Sequence, residues 1–372
     1  MKYKPSISSL PKLSQVQNKK EQEETLKNIN KFFKDNTIKA KVKGYDLGPV
    51  ITKYHTYLLK TGKYRDITKS SEEIALAIGS KVGYIHITGP VPGKHYFDIE
   101  TVNKETLTLP LRYFLESSKM QKDDTKTLIP IGFETHGGVY TSDIRDLPHL
   151  LITGMKGSGK TTFLHTIITS LILRNSPEEL KFLIISPKTT QFDVYKKIPY
   201  LAKPLIKNTE KIEDTIKWLA EELYVRYNLF WPSRSEGIER YNEVNKEKMG
   251  RIVLIVDDLS KCFNKTPKAV ESYLVKIAQR GRAAGIHMFI SSTDIKSNYI
   301  AGLVKANIPG RVAFKIKDSR SSINFLFRSG AHNLLGRGDM LYLPPYSSND
   351  LRLQAPYITK EDVEKLVKKI VV

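Results

Sequence analysis

Residues 154–161 read GMKGSGKT, between PHLLIT and TFLHTIITSLIL, and no other stretch limits the fold so tightly. The spacing G-x-x-x-x-G-K-[ST] is filled by Gly154, Gly159, Lys160 and Thr161. Glycines at 154, 157 and 159 let the backbone turn its N–H groups inward as an anion nest, and the helix that follows adds its positive end. The expected phosphate cradle is therefore Gly154, Met155, Lys156, Gly157, Ser158, Gly159, Lys160, Thr161 and Thr162. Lys160 is placed to reach the β and γ phosphates and the Thr161 hydroxyl to ligate Mg2+, so the expected cofactors are ATP and Mg2+. A plain glycine-rich turn would need neither side chain. The context also fits, because HLLIT is a β-branched apolar run and TTFLHTIITSLILR has apolar residues at helical spacing. Strand, loop and helix in that order predict an α/β chain with a P-loop core.

Such a core needs a second strand ending in acid, and residues 251–258, RIVLIVDD, supply it. Five apolar residues before an acid describe a buried central strand that delivers Asp257 to the magnesium at its carboxyl end, where open α/β sheets hold their ligands. Asp258 is placed to orient or activate the attacking water. The bland alternative, a strand ending in a capped turn, weakens once the pair follows a P-loop by about one βαβαβ span.

Lys and Arg total 60 against 39 Asp and Glu, a formal charge of +21, which favours polyanionic partners, nucleic acid first. A lysine-rich proteome would give the same excess without a partner. No apolar run reaches the roughly 18 residues of a membrane span, and MKYKPSISSLPKLSQ lacks a signal-peptide core. A cytoplasmic protein without membrane insertion is expected. The single Cys262 excludes an internal disulfide and a Cys-based zinc site. His165, inside the P-loop helix, reads as a packing residue.

The length, 372 residues, suggests two domains. The expected division is a flexible basic tail over 1–20, a small α/β domain over 21–127 and a motor domain over 128–372. In the small domain EETLKNINKFF reads as an amphipathic helix. IKAKVKGY, PVITKYHTYLL, VGYIHITG and HYFDIE read as strands around one helical stretch, SSEEIALAIG. SSKMQKDDTKT, at 117–127, reads as the joining loop.

Several further strings fall in one order. GPVITKY and PGKHYFDIE lie in the small domain; LPHLLITGMKGSGKTT, ISPKTTQFDVYKKIPYL, AQRGRAAGIH, LVKANIPGRVAFKI, DSRSSI and LLGRGDMLY lie in the larger one. Along almost its whole length the chain resembles the motor portion of the FtsK/SpoIIIE family of DNA translocases. That resemblance implies a RecA-like core with a smaller N-terminal α/β domain, in a homo-hexameric ring that threads double-stranded DNA and burns ATP at subunit interfaces. The DNA expected to be moved is mobile-element, viral or chromosomal, with motors of mobile-element or viral DNA the nearest relatives in role and a recombinase or other DNA-processing partner. Neither the family's membrane helices nor its C-terminal winged-helix module is expected within these 372 residues.

By position, Lys160, Thr161 and Asp257 match the family's phosphate and magnesium residues, and Arg282 matches the arginine that reaches a neighbour's ATP. A guanidinium supplied across subunits would neutralise transition-state charge; Arg311 and Arg320 compete for the role. The family's DNA-contacting stretches fall on Lys296, Lys315, Lys317 and Arg320, with Tyr299 the one aromatic, which suits sequence-independent phosphate tracking better than single-strand stacking. Two departures bear on rate. The family usually has Glu at Asp258, a side chain longer by about 1.5 Å, and its TQRP sensor segment is STDI, so Thr293 replaces an amide expected to sense the γ-phosphate. Slow hydrolysis would suit an alternative, an ATP-gated DNA clamp or coupling platform.

Overall fold

A computed structural model describes residues 7–13, 19–81, 83–89, 93–135, 137–187, 189–263, 267–293, 306–347 and 349–370. It divides into two compact units: residues 1–12, 110–132 and 140–372 form one, and residues 13–109 with 133–139 form the other. This departs from the expected division at both ends of the small domain. Residues 7–9 form a turn of 3-10 helix within the expected tail, and Leu10, 3% exposed, packs in the larger unit's core with Leu111, Leu115 and Leu366. Arg112 fixes that segment by donating to the carbonyls of Ser8 and Leu10 at 3.2 and 3.1 Å. The joining loop at 117–127 contains a helix, Ser118–Lys122, whose Met120 is buried in the same core. Apolar anchors at 111, 114, 115 and 120 thus assign this stretch to the larger unit.

The smaller unit is an antiparallel sheet of β1 (Ala40–Leu47), β2 (Ile51–Leu58), β3 (His86–Thr88) and β4 (Phe97–Val102) in the order β1-β2-β4-β3. Helix Lys20–Asp35 buries Ile29 and Phe33, four apart and hence on one face, against Val42, Tyr54 and Ile99. Its Asn30 exchanges two hydrogen bonds with the backbone of Val42, at 3.0 and 2.9 Å, and so pins the helix to the edge strand.

The larger unit is built on a nine-stranded sheet. Its strands are β5 (Leu128–Glu134), β6 (Val139–Asp143), β7 (His149–Thr153), β8 (Leu180–Ile185), β9 (Arg251–Val256), β10 (Ile286–Ser292), β11 (Gly310–Phe314), β12 (Asp339–Leu343) and β13 (Leu351–Gln354). The order is β6-β5-β13-β12-β11-β7-β10-β9-β8. The run β8-β9-β10-β7-β11 is parallel and the neighbours beyond it, β12 and β13, turn antiparallel. Both faces of the parallel strands are covered, which is why they read as unbroken apolar runs. Leu150, Ile152, Val253 and Ile255 pack with the P-loop helix Lys160–Arg174. The alternate residues Leu151, Leu254, Val256 and Ile290 pack with helices Glu210–Phe230 and Lys268–Ala284. His165 lies in the first of these cores, stacked on Phe192 and 2.8 Å from the Tyr195 hydroxyl. Burial pushes its pKa down to about 4, as befits a packing residue.

Candidate nucleotide-binding site

β7 runs directly into the loop 154–159, whose Gly154, Gly157 and Gly159 have φ of 153°, 78° and 127°. These are positions where a side chain is strained. Space is also lacking at two of them. A Cβ on Gly154 would lie 2.5 Å from Ser158 Oγ and 2.7 Å from Phe314 Cβ, and one on Gly159 would lie 3.1 Å from both Gly338 N and the Phe314 ring. The loop is braced from both sides, because Met155 N–H donates to the Lys315 carbonyl at 2.7 Å and Gly338 N–H to the Ser158 carbonyl at 2.9 Å. Met155, Lys156 and Gly157 remain exposed, and Thr161 and Thr162 are half-buried.

Lys160 opens the helix and is only 7% exposed. Its ammonium donates to the carbonyls of Gly154 at 2.6 Å and Met155 at 3.2 Å, so the loop's own oxygens receive it. Burial lowers its pKa against the opposing pull of Asp258 and Asp257. A buried cation held inside a ring of backbone is a receptor for an anion.

β10 separates the strand of the P-loop from β9, and the carboxyl ends of all three converge. Thr161 Oγ1 donates to Asp257 Oδ2 at 3.0 Å, and Ser291 Oγ, at the end of β10, donates to Asp257 Oδ1 at 2.7 Å. Burial, reinforced by the Asp258 charge, raises the Asp257 pKa against those two hydrogen bonds. A buried carboxylate that resists ionisation, with a hydroxyl oxygen beside it, is the donor set a small hard cation completes. Mg2+ takes one or two carboxylates with phosphate and water oxygens, so Asp257 and Thr161 fit it.

Asp258 is 1% exposed and serves as the N-cap of helix Leu259–Cys262, accepting from Ser260 N at 3.1 Å and Ser260 Oγ at 2.7 Å. Thr293 N donates to both of its oxygens, at 3.0 and 2.9 Å, and Thr293 Oγ1 donates to Oδ2. Cys262 is buried and donates weakly to the Asp258 carbonyl at 3.4 Å.

Among the arginines, Arg282 lies in the last turn of helix Lys268–Ala284, which Gly285 ends at φ 67°. It pairs with Asp146 at 3.0 Å, its side chain 57% exposed. Arg311 is 3% exposed, stacked over Phe327 and bonded to the Phe325 carbonyl, which removes it from the competition for a cross-subunit role. Arg320 is exposed in the first turn of helix Ser319–Leu326, capped by Asp318. Lys317 is exposed and Lys315 half-buried just beyond β11. Lys296 and Tyr299 lie outside the described residues.

Sequence reasoning missed Ser291 and the bracing by Phe314 and Gly338. The one available signal was the hydroxyl run Ser291–Ser292–Thr293 at the end of an apolar stretch; nothing local marks the contacts from 314 and 338.

Residues 110–297 match the model of the FtsK/SpoIIIE family, and residues 5–103 that of the FtsK alpha domain. The DNA translocase SpoIIIE of Bacillus subtilis is 35% identical over 99% of this chain and 48% of its own length. The DNA translocase FtsK of Oceanobacillus iheyensis is 35% identical over 95% of this chain and 46% of its own. The chain thus spans about half the length of the curated relatives it matches. In fold it is similar to the pCW3 conjugation coupling protein TcpA, solved with ATPγS, at a TM-score of 0.61 and 19% identity over 93% of this chain and 99% of that one. It is also similar to ATPases 2 and 3 of EssC from Geobacillus thermodenitrificans, at 0.59 and 20% over 66% and 48%. The larger unit is a RecA-like P-loop core, and the chain belongs to the FtsK/SpoIIIE family.

Proposed function

We propose that this chain is an ATP-dependent double-stranded DNA translocase that works as a homo-hexameric ring. One observation carries the reading: Lys160, Thr161, Asp257, Asp258 and Thr293 meet at the carboxyl ends of three adjacent strands, while Lys315, Lys317 and Arg320 follow the strand on the other side of β7. Phosphate chemistry and a basic surface thus share one edge of one sheet. Lys160 and the loop N–H groups hold the β and γ phosphates, Thr161 and Asp257 hold Mg2+, and Asp258 with Thr293 forms the water side of the site. Bound there, Mg2+ neutralises charge developing on the phosphate oxygens. Arg282, tied in the described chain only by an exposed ion pair of the kind worth about 0–1 kcal/mol, is free to leave Asp146 for the nucleotide of an adjoining subunit. Lys315, Lys317 and Arg320 track the phosphate backbone without reading bases.

The names of the relatives support the same substrate, and among the described residues no helix is long and apolar enough to cross a membrane. Steady-state ATP hydrolysis with and without long duplex DNA tests the reading. The expected result is sustained turnover stimulated by duplex. Slow turnover indifferent to DNA would favour the clamp or coupling platform.

A further inference from the structure

Asp258 is placed as a water-orienting acid by its position after the metal-side carboxylate, yet its oxygens are already taken. A carboxylate offers about four acceptor sites, and Ser260 N, Ser260 Oγ, Thr293 N and Thr293 Oγ1 donate to them. It is also 1% exposed. Thr293, by contrast, is exposed. Because its hydroxyl hydrogen is committed to Asp258, its Oγ1 lone pairs are what that hydroxyl keeps for another donor. We infer that Thr293 Oγ1, not the Asp258 carboxylate, is the atom that accepts a hydrogen bond from the attacking water, and that Asp258 acts through it as a positioning residue.

This rests on the ATPase reading above and names the atom that reading leaves open. The physical gain is reach and aim. The short acid stays below the surface, and the threonine hydroxyl extends its line outward by one hydrogen bond. The methyl branch and the backbone N–H bond to the same carboxylate restrict the hydroxyl's rotation. Phosphoryl transfer depends mostly on positioning and electrostatics, so an oriented acceptor suffices and Asp258 need not take up a proton. It follows that lengthening Asp258 to Glu forces an extra methylene, about 1.5 Å, into a filled pocket and pushes Thr293 aside.

The test compares Thr293→Val, isosteric but without the hydroxyl, with Thr293→Ser, which keeps it. Three readouts are taken: turnover, affinity for ATPγS, and affinity for ADP with aluminium fluoride and Mg2+, a mimic of the transition state. Thr293→Val is expected to lower kcat on the order of 100-fold, with KM and ATPγS affinity within a few-fold of wild type. Its affinity for the aluminium fluoride complex should fall about as far as kcat. Thr293→Ser should keep all three within a few-fold, and Asp258→Glu should resemble Thr293→Val. Thermal melts confirm folding; should Thr293→Val melt early, Thr293→Ala removes the same hydroxyl without a branched side chain. Wild-type turnover in Thr293→Val, or equal loss of ATPγS and aluminium fluoride affinity, overturns the assignment. If Lys160→Ala also turns over ATP normally, the ATPase reading fails instead.

Discussion

The two ends of the parallel sheet bury polar groups in opposite ways. At the carboxyl end Asp257 and Asp258 sit among hydroxyls, Thr161, Ser291, Ser260 and Thr293, each donating to a carboxylate, with the Lys160 cation close by. At the amino end two histidines, His149 at the start of β7 and His287 in β10, are buried in a basic setting. Arg251 approaches His287 at 3.4 Å, and Arg226 is buried under Ala284, donating to its carbonyl at 2.8 Å. Burial pushes His149 down to about 3, and burial with the Arg251 charge holds His287 well below its ordinary value. One end stores charge that a nucleotide and a cation would complete; the other end keeps its two histidines neutral beside arginines.

The largest expected effect breaks the carboxyl end. Lys160→Ala and Arg282→Ala should each lower turnover by about 10³-fold, and Arg282→Ala should leave melting nearly unchanged, since Arg282 is exposed and its ion pair is of the weak surface kind. Mixed together, the two variants should recover part of the activity. An interface that pairs an intact P-loop from one subunit with an intact arginine from the next is whole again. If mixing restores nothing in rings verified as mixed by native mass spectrometry, Arg282 does not act across the interface, and Arg320 becomes the remaining candidate.

Next in size, Asp257→Asn should cost on the order of 100-fold in turnover yet raise the melting temperature of the nucleotide-free protein. The sign follows from its raised pKa. The folded state prefers the neutral acid, so the stability tied to Asp257 is present at low pH and lost as pH rises through the shifted value. The amide removes that loss. An unchanged or lower melting temperature would mean the carboxylate is already well accommodated without a cation.

An effect on stability alone sharpens the contrast from the amino end. His149 and His287 have folded pKa values below the unfolded value near 6.5, so the unfolded chain takes up protons first. Stability is therefore full above about pH 6.5 and falls as pH drops below it, by up to about 1.4 kcal/mol per pH unit for each histidine. Denaturant titrations between pH 7 and 5 would measure it. A flat profile would show that these histidines are charged or solvated in the fold.

The same contrast explains what the sequence reveals. The P-loop is legible because its glycine spacing, its lysine and its threonine are consecutive, and β9 because an apolar run ends in two acids. The link from Asp258 to Thr293 is not, since it spans 35 residues and exists only because β10 lies beside β9. The burial of Lys160 is not legible either, and neither is the approach of Phe314 and Gly338 to the loop's glycines from distant segments. Leu10 is one of three scattered aliphatic residues, with Ile7 and Leu13, in the Lys-, Ser- and Pro-containing stretch 1–15, too little pattern to announce that it docks in the larger unit's core.

The central claim, that chemistry at the carboxyl end of the sheet moves the protein along duplex DNA, is tested most directly by displacement of a triplex-forming strand. Wild-type protein with ATP and Mg2+ should strip the third strand from a long duplex, and Asp257→Asn, which keeps the basic segment at 315–320, should bind the same duplex and strip it on the order of 100-fold more slowly. Hydrolysis by the wild type without displacement, or displacement by Asp257→Asn at the wild-type rate, would contradict it.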